Sequence, residues 1–252
     1  MSRKTKIAQS FDKISRTYED VRPTYPDVVI KKILSFSKIP KNGKIVEVGC
    51  GPGIATIPFA KKGYNISAID PGKNLLSIAK EKTRKFSNVS YILSSFEDAK
   101  LPINTFDLLI SGTAFHWVNQ KTGYKKAGEL LKKGGTIALF WLANNYKRTD
   151  FIPGLSAVFK KYSKNKKIKQ KPYEKEFKRI ARSGLFGKVH RFIYNQRIKY
   201  SKEDYIKLVS TFGWINVHPK KPEFLKDLSN LLGKRKYILV PYSTILFIAR
   251  RK

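Results

Sequence analysis

From residue 44 onward, short apolar runs alternate with amphipathic stretches, a pattern typical of strands and helices that follow one another. Five of these runs are bounded by turn-forming residues, and they predict strands at residues 45–48, 64–69, 89–93, 106–110 and 136–141. Helical spacing predicts helices at residues 54–62, 75–85 and 124–131. Repeated strand–helix units with short connections predict a parallel sheet that is covered by helices on both faces.

The segments on either side of this core follow looser patterns. Helical spacing is found at residues 11–18, 27–36, 151–185, 202–210 and 223–232, and strand-like runs at 189–199 and 237–249. We therefore predict one domain over residues 1–252. Its predicted parts are an N-terminal helical cap at 1–43, a core at 44–144, a basic helical insertion at 145–185 and a completion of the sheet at 186–252.

The composition is that of a protein with a hydrophobic core, because 41% of the 252 residues are hydrophobic and 13% are aromatic. No apolar run approaches the roughly 18 residues of a membrane span, and no signal peptide is evident at the N-terminus. We therefore expect a cytoplasmic protein. The single cysteine, Cys50, excludes an intrachain disulfide and a cysteine metal cluster, and we predict no metal site.

The charge is strongly basic, since 52 Lys and Arg against 18 Asp and Glu give a formal net charge of +34. Such a surface is expected to attract polyanions or anionic substrates and to bind them in a salt-sensitive way. Seven lysines lie between Lys160 and Lys171, either on the solvated face of a helix or at a polyanion contact.

The loop after the first predicted strand contains three glycines, Gly49, Gly51 and Gly53. Glycines between a strand and a helix let the backbone approach a ligand, and the helix N-terminus offers N–H donors. The G-x-G-x-G spacing differs from the G-x-G-x-x-G spacing of nicotinamide dinucleotide sites. Glu47 does not suit a pyrophosphate, whereas its charge suits a cofactor with an ammonium and a sulfonium group. The alternative for Glu47 is a strand residue paired with a lysine.

Acidic side chains also follow the next two predicted strands, at the edge where open α/β sheets bind ligands. Asp70 can accept hydrogen bonds from two ribose hydroxyls, or it can be a turn residue before Pro71. Phe96 can pack on an adenine ring, and Ser95 or Glu97 can meet the exocyclic amine.

Residues 46–53, 70, 95–98 and 106–117 resemble the class I S-adenosylmethionine-dependent methyltransferases. Residues 11–26, 114–117 and 241–244 resemble the methyltransferase type 11 branch that includes trans-aconitate methyltransferase-like proteins. The resemblance implies S-adenosyl-L-methionine as cofactor. It also implies a Rossmann-like open sheet of seven strands, mostly parallel with an antiparallel last strand, with helices on both faces, a helical N-terminal segment and a helical insertion.

By this resemblance the three glycines approach the methionyl part of the cofactor, Asp70 the ribose, and residues 95–97 the adenine. Phe96 departs from the pattern, because many relatives have a small residue there. The predicted cofactor-binding residues are Glu47, Gly49, Cys50, Gly51, Gly53, Asp70, Pro71, Ser95, Phe96, Glu97 and Ser111.

His116 follows the fourth predicted strand and is the candidate catalytic residue. It can act as a general base, or it can pack with Trp117 over the cofactor and close the site. Tyr18, Arg22 and Tyr25 can form a lid that contacts the substrate, or they can pack two helices on the sheet. Trp117 is a further candidate for contact with the substrate.

We predict transfer of a methyl group to an O or N nucleophile, carboxylates included, of a small anionic molecule. The first alternative is a methyltransferase that acts on nucleic acid or anionic lipid through its basic surface. The second alternative is a non-catalytic cofactor-binding protein. The fourth strand runs into residues 111–114 without the Asn/Asp-Pro-Pro-aromatic sequence typical of enzymes that methylate exocyclic base amines.

Overall fold

The computed structural model describes residues 12, 15–144, 152–163 and 173–252. The helices in these ranges are α1 (Ser15–Val21), α2 (Asp27–Ser37), α3 (Thr56–Ala60), α4 (Lys73–Thr83), α5 (Gln120–Leu130), α6 (Leu155–Tyr162), α7 (Glu174–Arg182), α8 (Lys202–Ser210), α9 (Gly213–Asn216) and α10 (Lys221–Leu232), with a 3-10 helix at Phe115–Trp117. The strands are β1 (Lys44–Val48), β2 (Asn65–Asp70), β3 (Val89–Leu93), β4 (Phe106–Gly112), β5 (Leu131–Asn144), β6 (His190–Ser201) and β7 (Tyr237–Arg250).

In the described residues seven strands form one sheet, in the order β3-β2-β1-β4-β5-β7-β6. The pairs β3-β2, β2-β1, β1-β4 and β4-β5 are parallel. Arg251 follows β7 and exchanges backbone hydrogen bonds with Gly134 and Gly135, near the start of β5, so β7 runs antiparallel to β5. The predicted seven-stranded, mostly parallel sheet with an antiparallel last strand is confirmed.

Several elements differ in length from the sequence-based prediction. The helix predicted at 54–62 is shortened to α3, because Gly53 N–H bonds to the Cys50 carbonyl and residues 51–55 form turns. β5 is longer than predicted, and β7 continues through Pro241 without a break. The predicted basic insertion contains α6 and α7, while residues 164–172, with most of the lysine run, lie outside the described residues.

The chain divides into two compact units. The unit that we call the helical unit comprises the described residues within 1–23, 143–170 and 195–243. Within it α1 packs against α8, and α10 packs against α6 and α8. The rings of Phe159 and Trp214 pack against that of Phe224 at centroid distances of 5.3 and 5.9 Å. The four predicted segments of a single domain stay a prediction.

The second unit, which we call the sheet unit, comprises the described residues within 24–142, 171–194 and 244–252. Its hydrophobic core joins one face of α2 to the apolar faces of the central strands. Ile30 and Ile33 of α2 are buried with Ile45 of β1, Leu108 of β4 and Ile248 of β7. β1 and β4 are buried along nearly their whole length and pair directly in parallel, which holds the loops after these strands next to each other.

Candidate functional site

The loop between β1 and α3 is held against β2 by backbone hydrogen bonds. The N–H groups of Gly49 and Cys50 both donate to the Ile69 carbonyl, at 2.8 and 3.0 Å. Gly49 and Gly51 have φ values of 69° and 54°, and this backbone conformation is costly for a residue that has a side chain. A Cβ on Gly51 would meet no atom within 4 Å, so a ligand can approach the backbone on that side.

Asp70 is the last residue of β2, and its carboxylate holds the loop between β1 and α3 in place. Its carboxylate accepts hydrogen bonds from the N–H groups of Gly51 and Gly72, each at 2.8 Å, and the residue is only 7% exposed. A carboxylate has about four lone-pair directions and can accept more than two hydrogen bonds, so a residue of this type at the end of β2 suits hydroxyl donors such as those of a ribose. Pro71, the next residue, is exposed. The sequence did not reveal that Asp70 positions the glycine loop.

Glu47 is a buried carboxyl in β1, with 1% of its surface exposed. Its Oε2 accepts a hydrogen bond from the Thr56 hydroxyl at 2.7 Å, and among the described residues no lysine is paired with it. Burial raises the pKa of Glu47 to about 7, with a further increase from the charge of Asp70, although the Thr56 hydrogen bond lowers it. A nearby cation would favour the ionised carboxylate, so this environment suits a positively charged group.

Cys50 and Ser111 are buried beside the glycine loop. Burial raises the pKa of the Cys50 thiol well above its ordinary value, so the thiol stays protonated. The Ser111 hydroxyl donates to the Val48 carbonyl at 2.7 Å and thereby joins the ends of β4 and β1. In this structure both side chains support the loop from within the protein.

Ser95 and Glu97 lie after β3 and make local hydrogen bonds. The Ser95 hydroxyl donates to Asp98 Oδ2 at 2.6 Å and accepts from the Asp98 N–H at 3.1 Å. Glu97 Oε1 accepts from the Asn119 N–H at 2.5 Å. The bond between Glu97 and Asn119 ties the loop after β3 to the start of α5. Contacts of Ser95 and Glu97 with an adenine stay a prediction.

Phe96 lies between these two residues, and its ring is 4% exposed. The ring packs against that of Phe115, with centroids 6.1 Å apart, and Lys126 Nζ lies 5.4 Å from its centroid. Phe96 is therefore a core residue of the loop after β3. Its predicted stacking on an adenine is not tested by these contacts.

The loop after β4 lies directly against the glycine loop. A Cβ added to Gly49 would come within 2.4 Å of the Ala114 Cβ, so only glycine fits opposite Ala114. Thr113 has a φ of 58°, and its N–H donates to the Phe140 carbonyl at 2.7 Å. The candidate cofactor loop and the candidate catalytic segment thus pack on each other at the carboxyl edge of the sheet.

His116 lies in the 3-10 helix that follows, and its half-buried ring contacts two tryptophans. Its ring centroid is 4.8 Å from that of Trp117 and 6.5 Å from that of Trp141. The Trp141 indole N–H donates to His116 Nδ1 at 3.2 Å. Phe115 is buried against Tyr124, with centroids 5.1 Å apart, and anchors the segment.

Of the three candidate lid residues, Tyr25 lies next to this segment. Its hydroxyl is 2.9 Å from the Thr113 hydroxyl, and its ring packs edge-on against Phe140. Arg22 belongs to the helical unit, where its guanidinium donates to the Thr211 carbonyl at 3.3 Å and lies over the Phe212 ring. The side chain of Tyr18 lies outside the described residues. The substrate role of all three residues stays a prediction.

Thr56 and Trp141 also belong to the candidate site, although their sequence positions alone did not identify them. Thr56 follows the glycine loop by three residues, and Trp141 is the last residue of the predicted fifth strand. The signal for Trp141 was available, because a residue at the carboxyl end of a strand lies at the ligand-binding edge of such a sheet. Its polar N–H then needs an acceptor.

No group of three or more His, Cys, Asp and Glu side chains that could hold a metal ion is found in the described part of the chain. Within the same ranges, none of the helices has the length and apolar character that a membrane span requires. The cytoplasmic location stays a prediction.

Comparison with known proteins identifies the family of the chain. The family described as "Methyltransferase domain" matches residues 46–139, from β1 through the glycine loop to β5. A probable S-adenosylmethionine-dependent methyltransferase of Saccharomyces cerevisiae, CRG1, is 25% identical over 281 residues, which cover 94% of this chain and 96% of that protein. The chain is a class I S-adenosylmethionine-dependent methyltransferase. Its cofactor is S-adenosylmethionine.

Solved structures show the same fold for this methyltransferase. A putative type II methyltransferase from Anaeromyxobacter dehalogenans superposes with a TM-score of 0.66 at 17% identity, covering 91% of this chain and 97% of that chain. A phosphoethanolamine N-methyltransferase 2 from Haemonchus contortus, in complex with phosphomonomethylethanolamine and S-adenosylhomocysteine, has a TM-score of 0.61 at 16% identity, covering all of this chain and 60% of that chain.

Proposed function

We propose that this methyltransferase transfers a methyl group to an oxygen or nitrogen nucleophile, carboxylates included, of a small anionic molecule. The contact between Gly49 and Ala114 carries the proposal, because it places the His116 segment directly against the glycine loop. A small acceptor bound beside His116 would then lie next to the cofactor. The Haemonchus enzyme, whose fold is similar, was solved with a small phosphate-bearing molecule.

The residues of the glycine loop and of the β2 end fit the cofactor. The open side of Gly51 admits the methionyl part, and the carboxylate of Asp70, which bonds to the Gly51 N–H, is the acceptor that we assign to the ribose hydroxyls. Glu47 offers a buried negative charge toward the cationic end of the cofactor, held by Thr56. We assign the remaining predicted cofactor residues to the same site, with Cys50, Ser111 and Phe96 supporting the loops from the core.

The cofactor supplies a methyl carbon that is already activated by the sulfonium charge. The protein has therefore mainly to align the acceptor with that carbon and to exclude water. Trp117 and Tyr25, which flank the segment after β4, are the side chains that we assign to enclosing the acceptor. The net charge of +34 favours the approach of an anionic acceptor.

The proposal is tested with cofactor that is labelled on its methyl group, incubated with the protein and a cell extract. The extract is then separated into small-molecule, nucleic-acid, lipid and protein pools. Label in the small-molecule pool, retained by an anion-exchange resin, is the expected result. Label in nucleic acid or lipid would contradict the proposal and favour the alternative in which the basic surface selects a polyanion or an anionic membrane.

A further inference from the structure

The indole N–H of Trp141 lies in the protein core and needs an acceptor there. Trp141 is 1% exposed, and its ring packs against Phe247 and Tyr173 at centroid distances of 5.9 and 6.0 Å. A buried donor without an acceptor is costly, so such groups are almost always hydrogen-bonded. The acceptor is His116 Nδ1, at 3.2 Å from the indole nitrogen.

The direction of this hydrogen bond is determined by chemistry. An indole nitrogen only donates, so His116 Nδ1 has to accept and carries no proton. A neutral imidazole has one protonated nitrogen, which is then Nε2. A half-turn of the ring would exchange Nδ1 for a carbon atom and leave the Trp141 N–H without its acceptor. The orientation found is therefore the one that satisfies the buried indole.

We propose that Trp141 is a positioning residue that keeps His116 in its Nε2–H tautomer, so that His116 acts on the acceptor as a hydrogen-bond donor and not as a general base. The role in the reaction rests on the proposed function, whereas the tautomer does not. The segment that bears His116 is firmly placed, since Ala114 abuts Gly49 and Phe115 is buried against Tyr124.

A general base has to present a lone pair to the proton that it removes. The lone pair of His116 is on Nδ1 and is occupied by the Trp141 N–H. Protonation of Nδ1 would place two N–H groups against each other and break the bond. His116 instead offers an N–H, which suits an acceptor atom that is already unprotonated.

The methyl transfer then requires no movement of a proton to His116. A lone pair of the acceptor atom forms the bond to the methyl carbon, and the carbon–sulfur bond breaks with its electron pair left on sulfur. An anionic oxygen becomes a neutral methyl ester or ether in this step. The Nε2–H of His116 orients the acceptor, and no proton has to be removed by the protein.

The tautomer is measured by nitrogen NMR of the whole chain with ¹⁵N-labelled histidine, at about pH 8, where an ordinary imidazole is neutral. The chain has three histidines, and the His116 signals are those lost in His116→Gln. We expect Nε2 to appear protonated and Nδ1 unprotonated. An Nδ1–H tautomer, or a rapidly exchanging mixture, in the wild-type protein would overturn the proposal without any variant being needed.

Trp141→Phe removes the donor and keeps an aromatic ring in the core. We expect the His116 signals to move toward a mixture of tautomers, while the signals of His190 and His218 report that the fold is retained. Trp117→Phe is the matched control, because Trp117 also contacts the His116 ring, and we expect it to leave the tautomer unchanged. An unchanged His116 spectrum in folded Trp141→Phe would overturn the proposal.

The role in transfer is tested with the pool that accepts label in the wild-type reaction. The amide of His116→Gln donates from a position similar to that of Nε2–H, so we expect activity within about tenfold of the wild type. His116→Phe has no donor, and we expect a loss of about 10² or more. Equal, severe losses in both variants would overturn the donor role, even if the NMR result stands.

Discussion

Two buried carboxyls, Glu47 in β1 and Asp70 at the end of β2, have surroundings that differ at the level of single atoms. Asp70 accepts two backbone hydrogen bonds, which stabilise its charged form. Glu47 accepts one bond from Thr56, and burial raises its pKa to about 7. Glu47 therefore titrates near neutral pH, whereas an unfolded chain would release this proton near 4.5.

Glu47→Gln is expected to remove a pH dependence of stability. Because the folded pKa of Glu47 is raised, its contribution is fully present below about 4.5 and is lost as pH rises through about 7. The loss amounts to at most about 3 kcal/mol. The difference in unfolding free energy between the variant and the wild type should therefore shift in favour of the variant as the pH rises from about 5 to about 8.

The measurement is chemical unfolding of both proteins without cofactor at the two pH values. Glu129→Gln, on the half-exposed carboxyl beside Lys125, serves as the control and should show no such change. Parallel pH profiles of wild type and Glu47→Gln would contradict the raised pKa.

Gly51→Ala tests the cofactor loop against a matched glycine. Gly51 and Gly134 both have positive φ, 54° and 75°, and neither has an atom within 4 Å of an added Cβ. The backbone strain of the two alanine variants is therefore alike, about 1–2 kcal/mol. Only Gly51 lies at the predicted cofactor side, so we expect Gly51→Ala to weaken S-adenosylmethionine binding at least about tenfold by calorimetry. Equal S-adenosylmethionine affinities in the two variants would show that the glycine loop is not part of the cofactor site.

At the scale of elements, the site depends on two loops that follow neighbouring parallel strands. β1 and β4 pair directly, so the loops after them emerge together and meet at Gly49 and Ala114. The second loop is also held by β5, through the bond from Thr113 N–H to the Phe140 carbonyl. The position of His116 is therefore set by the packing of strands and not by local sequence.

A double-mutant cycle measures this contact between loops. Gly49→Ala should destabilise the protein by about 2–4 kcal/mol, because the new Cβ is strained at φ 69° and overlaps Ala114. Ala114→Gly removes the overlapping methyl, so the double variant should recover about 1 kcal/mol or more of that loss and keep the strain. Unfolding free energies of the four proteins give the coupling. Strict additivity would show that the loops do not press on each other.

At the scale of the whole molecule, the charge is the outstanding property. With 52 basic and 18 acidic side chains, repulsion between like charges opposes the folded state. Ion pairs such as Lys132–Asp107 and Lys161–Asp227 relieve some of it locally. Wherever the remaining basic side chains are exposed, dissolved salt screens their repulsion.

Added sodium chloride is expected to raise the melting temperature of the free protein. The screening length falls from about 30 Å at 0.01 M to about 10 Å at 0.1 M salt, so repulsion weakens. A gain of about 1 kcal/mol corresponds to about 2–4 °C for a chain of this size. The control is glycerol at the same osmolality. A melting temperature that stays constant or falls with salt would mean that the surface charges are already compensated.

Much of this protein was determined by its sequence, because local patterns encode local structure. Apolar runs placed β1 to β4 within two residues, and helical spacing located α8 and α10. The G-x-G-x-G spacing after β1 and the Asp at the end of β2 indicated the cofactor, since those residues follow strands that end at one edge of the sheet. The net charge was likewise a property of composition alone.

Only the tertiary structure decided which atoms of the site meet. Asp70 bonds to Gly51 across 19 positions, and Trp141 bonds to His116 across 25. Phe96, a candidate adenine platform in the sequence, is buried against Phe115. Such contacts depend on strand register and on how buried polar groups find partners, and neither is encoded in the spacing of nearby residues.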